Sequence, residues 1–235
     1  MKLSKRLKAL LQEINSPVLA DIGCDHGYLC AAALLENRTG KAYACDIADG
    51  PLAQAQMTCQ ENGLQERMMI RKQDGLNHLP KDVTLVTIAG MGGSLIETML
   101  RNWISERKLK ANAEEVIPDT PLFLLSPHKD VPELRSFLIQ NGFHIISEDV
   151  IHDQHYYPLM KVTYEPNSST QKLSDEEIIC GVSLPDTEDV RDYLNHSIAK
   201  WSRILSGLPE EKRENASRIL FSYQNVLNKL SKLNK

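Results

Sequence analysis

Residues 21–27, DIGCDHG, bring two carboxylates and two glycines into one short stretch: Asp21, Gly23, Asp25 and Gly27. An apolar run, Val18-Leu19-Ala20, leads in, and LCAAALLE, with its apolar residues at helical spacing, leads out. That order describes a buried strand that breaks into a tight loop and opens a helix. Glycine lets the loop backbone approach a ligand where a side chain would collide. The helix start offers unpaired N–H groups to a polar ligand. A dinucleotide fingerprint, G-x-G-x-x-G, cradles a pyrophosphate. Here Asp25 takes the place of its central glycine. A carboxylate there repels phosphate, which counts against a nicotinamide oxidoreductase, and suits a ligand carrying an amine or a sulfonium. S-adenosylmethionine is such a ligand.

Three further signals stand where strands end, the place at which open α/β sheets bind ligands. Asp46 follows the run KAYAC, about twenty residues beyond the loop, where an acid accepts hydrogen bonds from both hydroxyls of a ribose. Asp74, followed by Gly75, ends the next run and is placed to meet the exocyclic amine of an adenine. Ala89-Gly90-Met91-Gly92-Gly93 ends a fourth run with a backbone able to pass close to a ligand, and Met91 offers adaptable apolar cover. His26 lies beside the first loop and is placed to orient it. Each signal alone fits a helix cap or a turn. Together, in this order, they mark a cofactor site made of Asp21, Gly23, His26, Gly27, Asp46, Asp74, Gly75, Ala89, Gly90 and Met91.

The elements that must position these residues alternate from residue 18 onward. Strands are expected at Val18–Ile22, Lys41–Ile47, Arg67–Lys72, Val83–Ala89 and Pro121–Leu125. Helices are expected up to Leu35, from Pro51 to a Gly63 stop, over SLIETMLRNWIS, and up to a Gly142 stop. His144–Asp149 and Tyr157–Tyr164 read as two strands with only a polar turn between them, so they pair as an antiparallel edge hairpin. Alternation predicts an α/β architecture with a mostly parallel sheet. The closing hairpin narrows it to a Rossmann-like class I methyltransferase sheet. Residues 165–177 read as a polar linker. Beyond it, Val190, Leu194, Ser197, Trp201 and Leu205 form one helical stripe, and Ala216, Ile219, Tyr223, Val226, Leu230 and Leu233 another. They predict an α-helical coiled-coil hairpin, so the expected division is residues 1–165 and 171–235.

A net charge of −4 over 235 residues excludes polyanion binding by overall charge. Any RNA contact needs local cations. Residues 3–14 read as an amphipathic helix with Lys2, Lys5, Arg6 and Lys8 largely on its polar side, and Arg101, Arg107, Lys108, Lys110 and Lys129 add others. No apolar stretch reaches the roughly 20 residues of a membrane span, and the N-terminus lacks a signal-peptide pattern. The five cysteines form no CxxC pair, which fits a reduced, cytoplasmic protein. No metal site is expected; the His152/His155 pair has no helix to present both rings. Oligomeric state is not legible from the hairpin, with a monomer the favoured reading.

The sequence resembles the bacterial tRNA (adenine-22-N1)-methyltransferases. The resemblance rests on LSKRL, ADIGCDHGYL, DIADGP, DGL at residues 74–76 and TIAGMGGSLI, and spans nearly the whole chain. It implies S-adenosylmethionine as cofactor and adenine N1 of tRNA as methyl acceptor. It also implies that Gly23, Asp46, Asp74 and Gly90 line the cofactor site and that Asp25 is the essential carboxylate at the reaction centre. The chain departs from the family pattern after the fifth strand, where Ser126-Pro127-His128 replaces Gln-Pro-Asn. It departs again at Asp46, where a glutamate is usual, and at residues 152–157, HDQHYY. The substrate side is therefore expected to involve Lys5 and Arg6 for RNA phosphates and Ser126, Pro127 and His128 beside the target base. A carboxylate near that base stabilises the charge that methylation places on the ring. Two other readings remain open: methylation of another RNA site or a small molecule, and an inactive S-adenosylmethionine-binding module that recruits a partner.

Overall fold

The computed structural model describes residues 2–113, 119–166 and 171–233. Helix α1 (Lys5–Glu13) is capped by the Ser4 hydroxyl, which accepts from the Leu7 N–H. There follow β1 (Val18–Ile22), α2 (Tyr28–Leu35), β2 (Lys41–Asp46), α3 (Asp49–Glu61), β3 (Met68–Lys72), β4 (Leu85–Ala89), α4 (Gly93–Asn112), β5 (Leu122–Ser126), α5 (Val131–Gln140), β6 (Phe143–Asp153) and β7 (His155–Tyr164). The strands form one sheet in the order β3-β2-β1-β4-β5-β7-β6. Strands β1 to β5 are parallel, and β7 is antiparallel to both β5 and β6. This is the Rossmann-like methyltransferase sheet. The parallel strands read as nearly continuous apolar runs because helices cover both faces. Leu19, Ala42, Ala44, Leu85 and Leu124 turn to α1, α2 and α3, while Ala20, Val86, Ile88, Phe123 and Leu125 face α4 and α5.

The order of strands puts the reversal point between β1 and β4, so the loops that leave their carboxyl ends diverge and open a cleft. The hairpin is longer than its sequence pattern suggests. Its strands reach Asp153 and restart at His155, turning through Gln154 at φ 63°. Residues 150–156, all expected in the polar turn, lie in the ladder apart from Gln154: Val150 pairs with Pro158, Ile151 with Tyr157, His152 with Tyr156 and Asp153 with His155.

The polar stretch expected as a linker is partly a helix. Ser174 and Glu177 form a reciprocal capping box that starts α6 (Asp175–Cys180). Helices α7 (Glu188–Gly207) and α8 (Arg213–Leu233) then pack side by side, joined by a short turn, with α6 against α8. This unit is fastened to the sheet by a fully buried ion pair. Arg135 of α5 meets Glu148 of β6 at 2.6 Å, with side chains 1% and 0% exposed. Arg135 also donates to the carbonyls of Ile178 and Ile179, and Glu148 accepts the N–H of Val182.

Candidate functional site

Loop 23–27 is shaped by three left-handed residues: Gly23 (φ 76°), Asp25 (φ 49°) and Gly27 (φ 67°). Asp tolerates that conformation better than most side chains. The N–H groups of Gly23 and Cys24 both donate to the Cys45 carbonyl, at 2.8 and 3.0 Å, which pins the loop to the end of β2. A β-carbon on Gly23 would stand 2.1 Å from Cε of Met91, so the Met91 side chain lies across the loop. The bare glycine is what allows that approach.

Asp21 is buried one residue before the end of β1. One of its oxygens accepts a 2.5 Å hydrogen bond from the Thr87 hydroxyl of β4. Burial pushes its carboxyl up to about 6, against the lowering effect of Thr87, and the charge of Asp46 adds to the rise. Asp25 is exposed at the rim, 3.6 Å from Nε2 of His26. The His26 ring stacks on Tyr28, with centroids 5.1 Å apart. Asp21, Gly23, Asp25, His26, Ala89 and Gly90 line a single cleft of about 250 Å³ together with Cys24, Tyr28, Leu29, Leu7 and Arg6.

The other expected cofactor residues, Gly27, Asp46, Asp74, Gly75 and Met91, are not among the residues that line this cleft. The Asp46 side chain accepts from the Ala48 N–H at 3.0 Å, and its carbonyl accepts from Gln73 N–H at 2.9 Å. Asp74 is exposed at the end of β3. Its neighbour Gln73, which sequence reasoning passed over, is buried and sets the chain path there. Gln73 donates to the Gly75 carbonyl at 2.8 Å and accepts from Arg71 at 2.8 Å. Gly27 packs against Met68 and Ala55, away from the open side.

The loops after β4 and β5 are stitched together. Gly90 N–H donates to the Ser126 carbonyl at 3.1 Å, and His128 N–H donates to the Met91 carbonyl at 3.0 Å. Ser126 and Pro127 are buried, and the His128 side chain is exposed. These bonds use backbone only, so the Ser-Pro-His sequence can hold the loop that a different side-chain set would also hold.

The two N-terminal cations part company. Arg6 reaches the cleft, whereas Lys5 pairs with Asp189 of α7 at 2.8 Å. The cations of α4 are not brought to the cleft. Arg101 pairs with Glu97, and Lys110 pairs with Glu106 near Val83, at the opposite end of β4. All five cysteines are free and buried, and burial pushes the thiols of Cys45 and Cys180 up to about 12. They serve as small apolar residues.

The donor set suits a ligand with an ammonium and a carboxylate: a buried carboxylate, an exposed one and a guanidinium line the same cleft. The model of the TrmK family, tRNA (adenine(22)-N(1))-methyltransferase, matches residues 19–231. The chain belongs to that family. The tRNA (adenine(22)-N(1))-methyltransferase of Bacillus subtilis is 34% identical over 155 residues, which take in 65% of this chain and 61% of that protein's length. A solved Streptococcus agalactiae protein of the NADB-Rossmann superfamily shares the fold at a TM-score of 0.82 and 24% identity, covering 97% of this chain and 98% of its own. TrmK of M. capricolum, solved with S-adenosyl-homocysteine, matches at a TM-score of 0.72 and 25% identity over 99% of this chain and 98% of its own. The TrmK family consists of S-adenosylmethionine-dependent tRNA methyltransferases. Among the described residues of this member, no helix is long and apolar enough to cross a membrane.

Proposed function

We propose that this TrmK family member methylates N1 of adenine 22 in tRNA. The observation that carries the reading is the convergence of Asp21, Gly23, Asp25, Ala89, Gly90 and Arg6 on one cleft at the carboxyl ends of β1 and β4. S-adenosylmethionine, when bound, supplies an electrophilic methyl group on a sulfonium. Asp21 and Asp25 attract the positively charged part of the cofactor, Asp46 holds its ribose, and Asp74 lies where the adenine amine ends. Asp25, exposed at the rim, also faces the entering base. Its carboxylate accepts a hydrogen bond from N6 and offsets the charge that grows on the ring as N1 is alkylated. Ser126, Pro127 and His128, tied to Gly90 and Met91, border the same entrance. Alignment by the protein supplies much of the rate, roughly 7–11 kcal/mol in well-oriented systems.

Residues 1–165 form the methyltransferase unit in this reading, and 171–235 form a helical unit that extends the surface available to tRNA. The protein then works in the cytoplasm, where its substrate is, as a monomer. The test is incubation with a labelled methyl donor and unmodified tRNA, followed by nucleoside analysis. The expected product is 1-methyladenosine at position 22, lost with a transcript carrying guanine there. Label at another position supports the reading that the Ser126-Pro127-His128 departure motivates, a different RNA site. Cofactor binding with no transfer to any tRNA overturns the enzymatic reading in favour of a partner-recruiting module.

A further inference from the structure

A row of rings runs from the helical unit out to the tip of the edge hairpin. Tyr223 of α8 meets Tyr193 of α7 edge-on, with centroids 5.8 Å apart, and their hydroxyls lie 3.2 Å apart. Tyr193 meets Tyr156 of β7 at 5.8 Å, and His196 of α7 meets the same ring at 5.2 Å. The row ends at His152 of β6, whose ring lies flat on Tyr156, with 4.5 Å between centroids and 17° between planes. His152 and Tyr156 are cross-strand partners, which puts both side chains on one face of the hairpin. Tyr223 is buried, Tyr156 half-buried and His152 exposed. The inner rings therefore hold the plane of the outer one, and the outer ring turns its second face to solvent.

The hairpin tip stands at the rim of the cofactor cleft. Leu125 of β5 pairs with Met160, so the residues before Met160 run past the carboxyl end of β5, the edge at which the cleft opens. Arg6, which lines the cleft, donates its backbone N–H to the Asp153 carboxylate at 2.9 Å, and its guanidinium lies 4.7 Å from the centroid of the Tyr157 ring. His152 is the residue before Asp153, and its own backbone N–H donates to Asp189 of α7 at 3.0 Å. The end of the ring row is fixed between the cleft and the helical unit.

The charges around the row select what it can bind. Burial pushes the Tyr156 hydroxyl up, and the nearby carboxylates of Asp192 and Asp189 push it further. Such carboxylates repel a phosphate. A neutral base meets no such penalty, and stacking on an aromatic ring accepts any base, since each has a π-face. Methyl transfer creates the need for this cover. A target base leaves its stack to reach an enclosed site, and its neighbour is left with one face bare.

We propose that the open face of His152 stacks on an unpaired tRNA base beside the methylated adenine, with Tyr156 as the positioning residue that holds the imidazole in plane. This rests on the tRNA reading above and adds to it a contact made without charge.

The test is equilibrium binding of a tRNA transcript carrying adenine at position 22 to the full chain, with S-adenosylhomocysteine affinity and melting temperature measured on each variant. His152→Ala is expected to weaken tRNA binding about tenfold, as loss of one stacked base does. The loss should be equal at about 50 mM and about 200 mM salt, because stacking releases no counterions. S-adenosylhomocysteine affinity should stay within about twofold. His152→Phe, flat and without a polar atom, should bind tRNA as the unmodified protein does. His152→Leu, apolar but not flat, should lose as much as His152→Ala. Tyr156→Leu should weaken tRNA binding severalfold and Tyr156→Phe restore it. In His152→Trp the added indole fluorescence should be quenched by tRNA. Unchanged tRNA affinity in His152→Ala, or full affinity in His152→Leu, overturns the proposal and leaves the ring as hairpin packing. A loss that shrinks as salt is raised overturns it in favour of a cationic contact with phosphate. Failure of the unmodified protein to bind tRNA while it binds S-adenosylhomocysteine would refute the tRNA reading itself, an outcome distinct from all of these.

Discussion

Replacing Asp21 by Asn should make the protein more stable and a poorer binder of its cofactor. The Asp21 carboxyl titrates at about 6 in the fold against an ordinary 3.8, because burial disfavours its charge. The folded state therefore holds the proton more tightly than the unfolded one. Stability falls as pH rises through the window between those two values and stays level above it. The penalty amounts to about 3 kcal/mol at pH 8 and about 1 kcal/mol at pH 4.5. Asn keeps the shape and an acceptor for the Thr87 hydroxyl, which donates to Asp21 at 2.5 Å, and it carries no charge at either pH. Denaturant unfolding of Asp21→Asn should show a gain of up to about 3 kcal/mol at pH 8 that is about 2 kcal/mol smaller at pH 4.5. The melting temperature should rise at pH 8 by several degrees, at about 2–4 °C per kcal/mol for a chain of this size. Calorimetry should show weaker S-adenosylhomocysteine binding in the same variant. No gain at pH 8, or a gain that does not change with pH, would refute the reasoning that Asp21 is held as a costly buried charge for the ligand's sake.

Gly23→Ala places a methyl 2.1 Å from Cε of Met91 at a φ of 76°; the left-handed conformation alone costs about 1–2 kcal/mol. Cofactor affinity measured by calorimetry should fall at least tenfold. Asp25→Asn should lower the single-turnover rate of tRNA methylation at saturating cofactor by about 100-fold. Glu148→Ala strands the Arg135 charge and the Val182 N–H in the interior, and chemical denaturation should show a loss of about 3–5 kcal/mol. The double variant Arg135→Met, Glu148→Leu should recover most of it, since apolar replacement of a whole buried pair is often neutral.

The site was legible where it was local. Strand, loop and helix start at residues 18–35 are consecutive, so the spacing of Asp21, Gly23, Asp25 and Gly27 already describes the turn that the structure makes. Asp46 ends β2 and Ala89 ends β4 as the sequence pattern expects, and parallel strands deliver such ends to the same edge. Most of the failures were at long range. Lys5 and Arg6 are neighbours in sequence and looked equivalent, yet one pairs with Asp189 and the other enters the cleft. Only the arrival of α7 and the hairpin separates them. Helix α6 carries a local signal, Ser174 with Glu177 three residues on, but six residues in a polar stretch offer too little periodicity to be read as a helix. Arg135 sits in the apolar face of α5, and nothing near it in sequence announces Glu148 or the carbonyls of residues 178 and 179. A buried charge is legible only together with its partner.

The Arg135–Glu148 pair also decides what can be exchanged among relatives. The pair itself comes from α5 and β6, and the three backbone groups around it come from the chain segment from residue 178 to 182. A helical unit grafted from another family member would have to present two carbonyls and one N–H at the same points, or arrive with α5 and β6 attached. The seam of a chimera therefore lies before residue 131, inside the methyltransferase sheet, and not at the polar stretch where the composition changes. Inheritance should follow the same seam: substitutions at positions 135 and 148 would be expected to change together, and to change with the start of the helical unit.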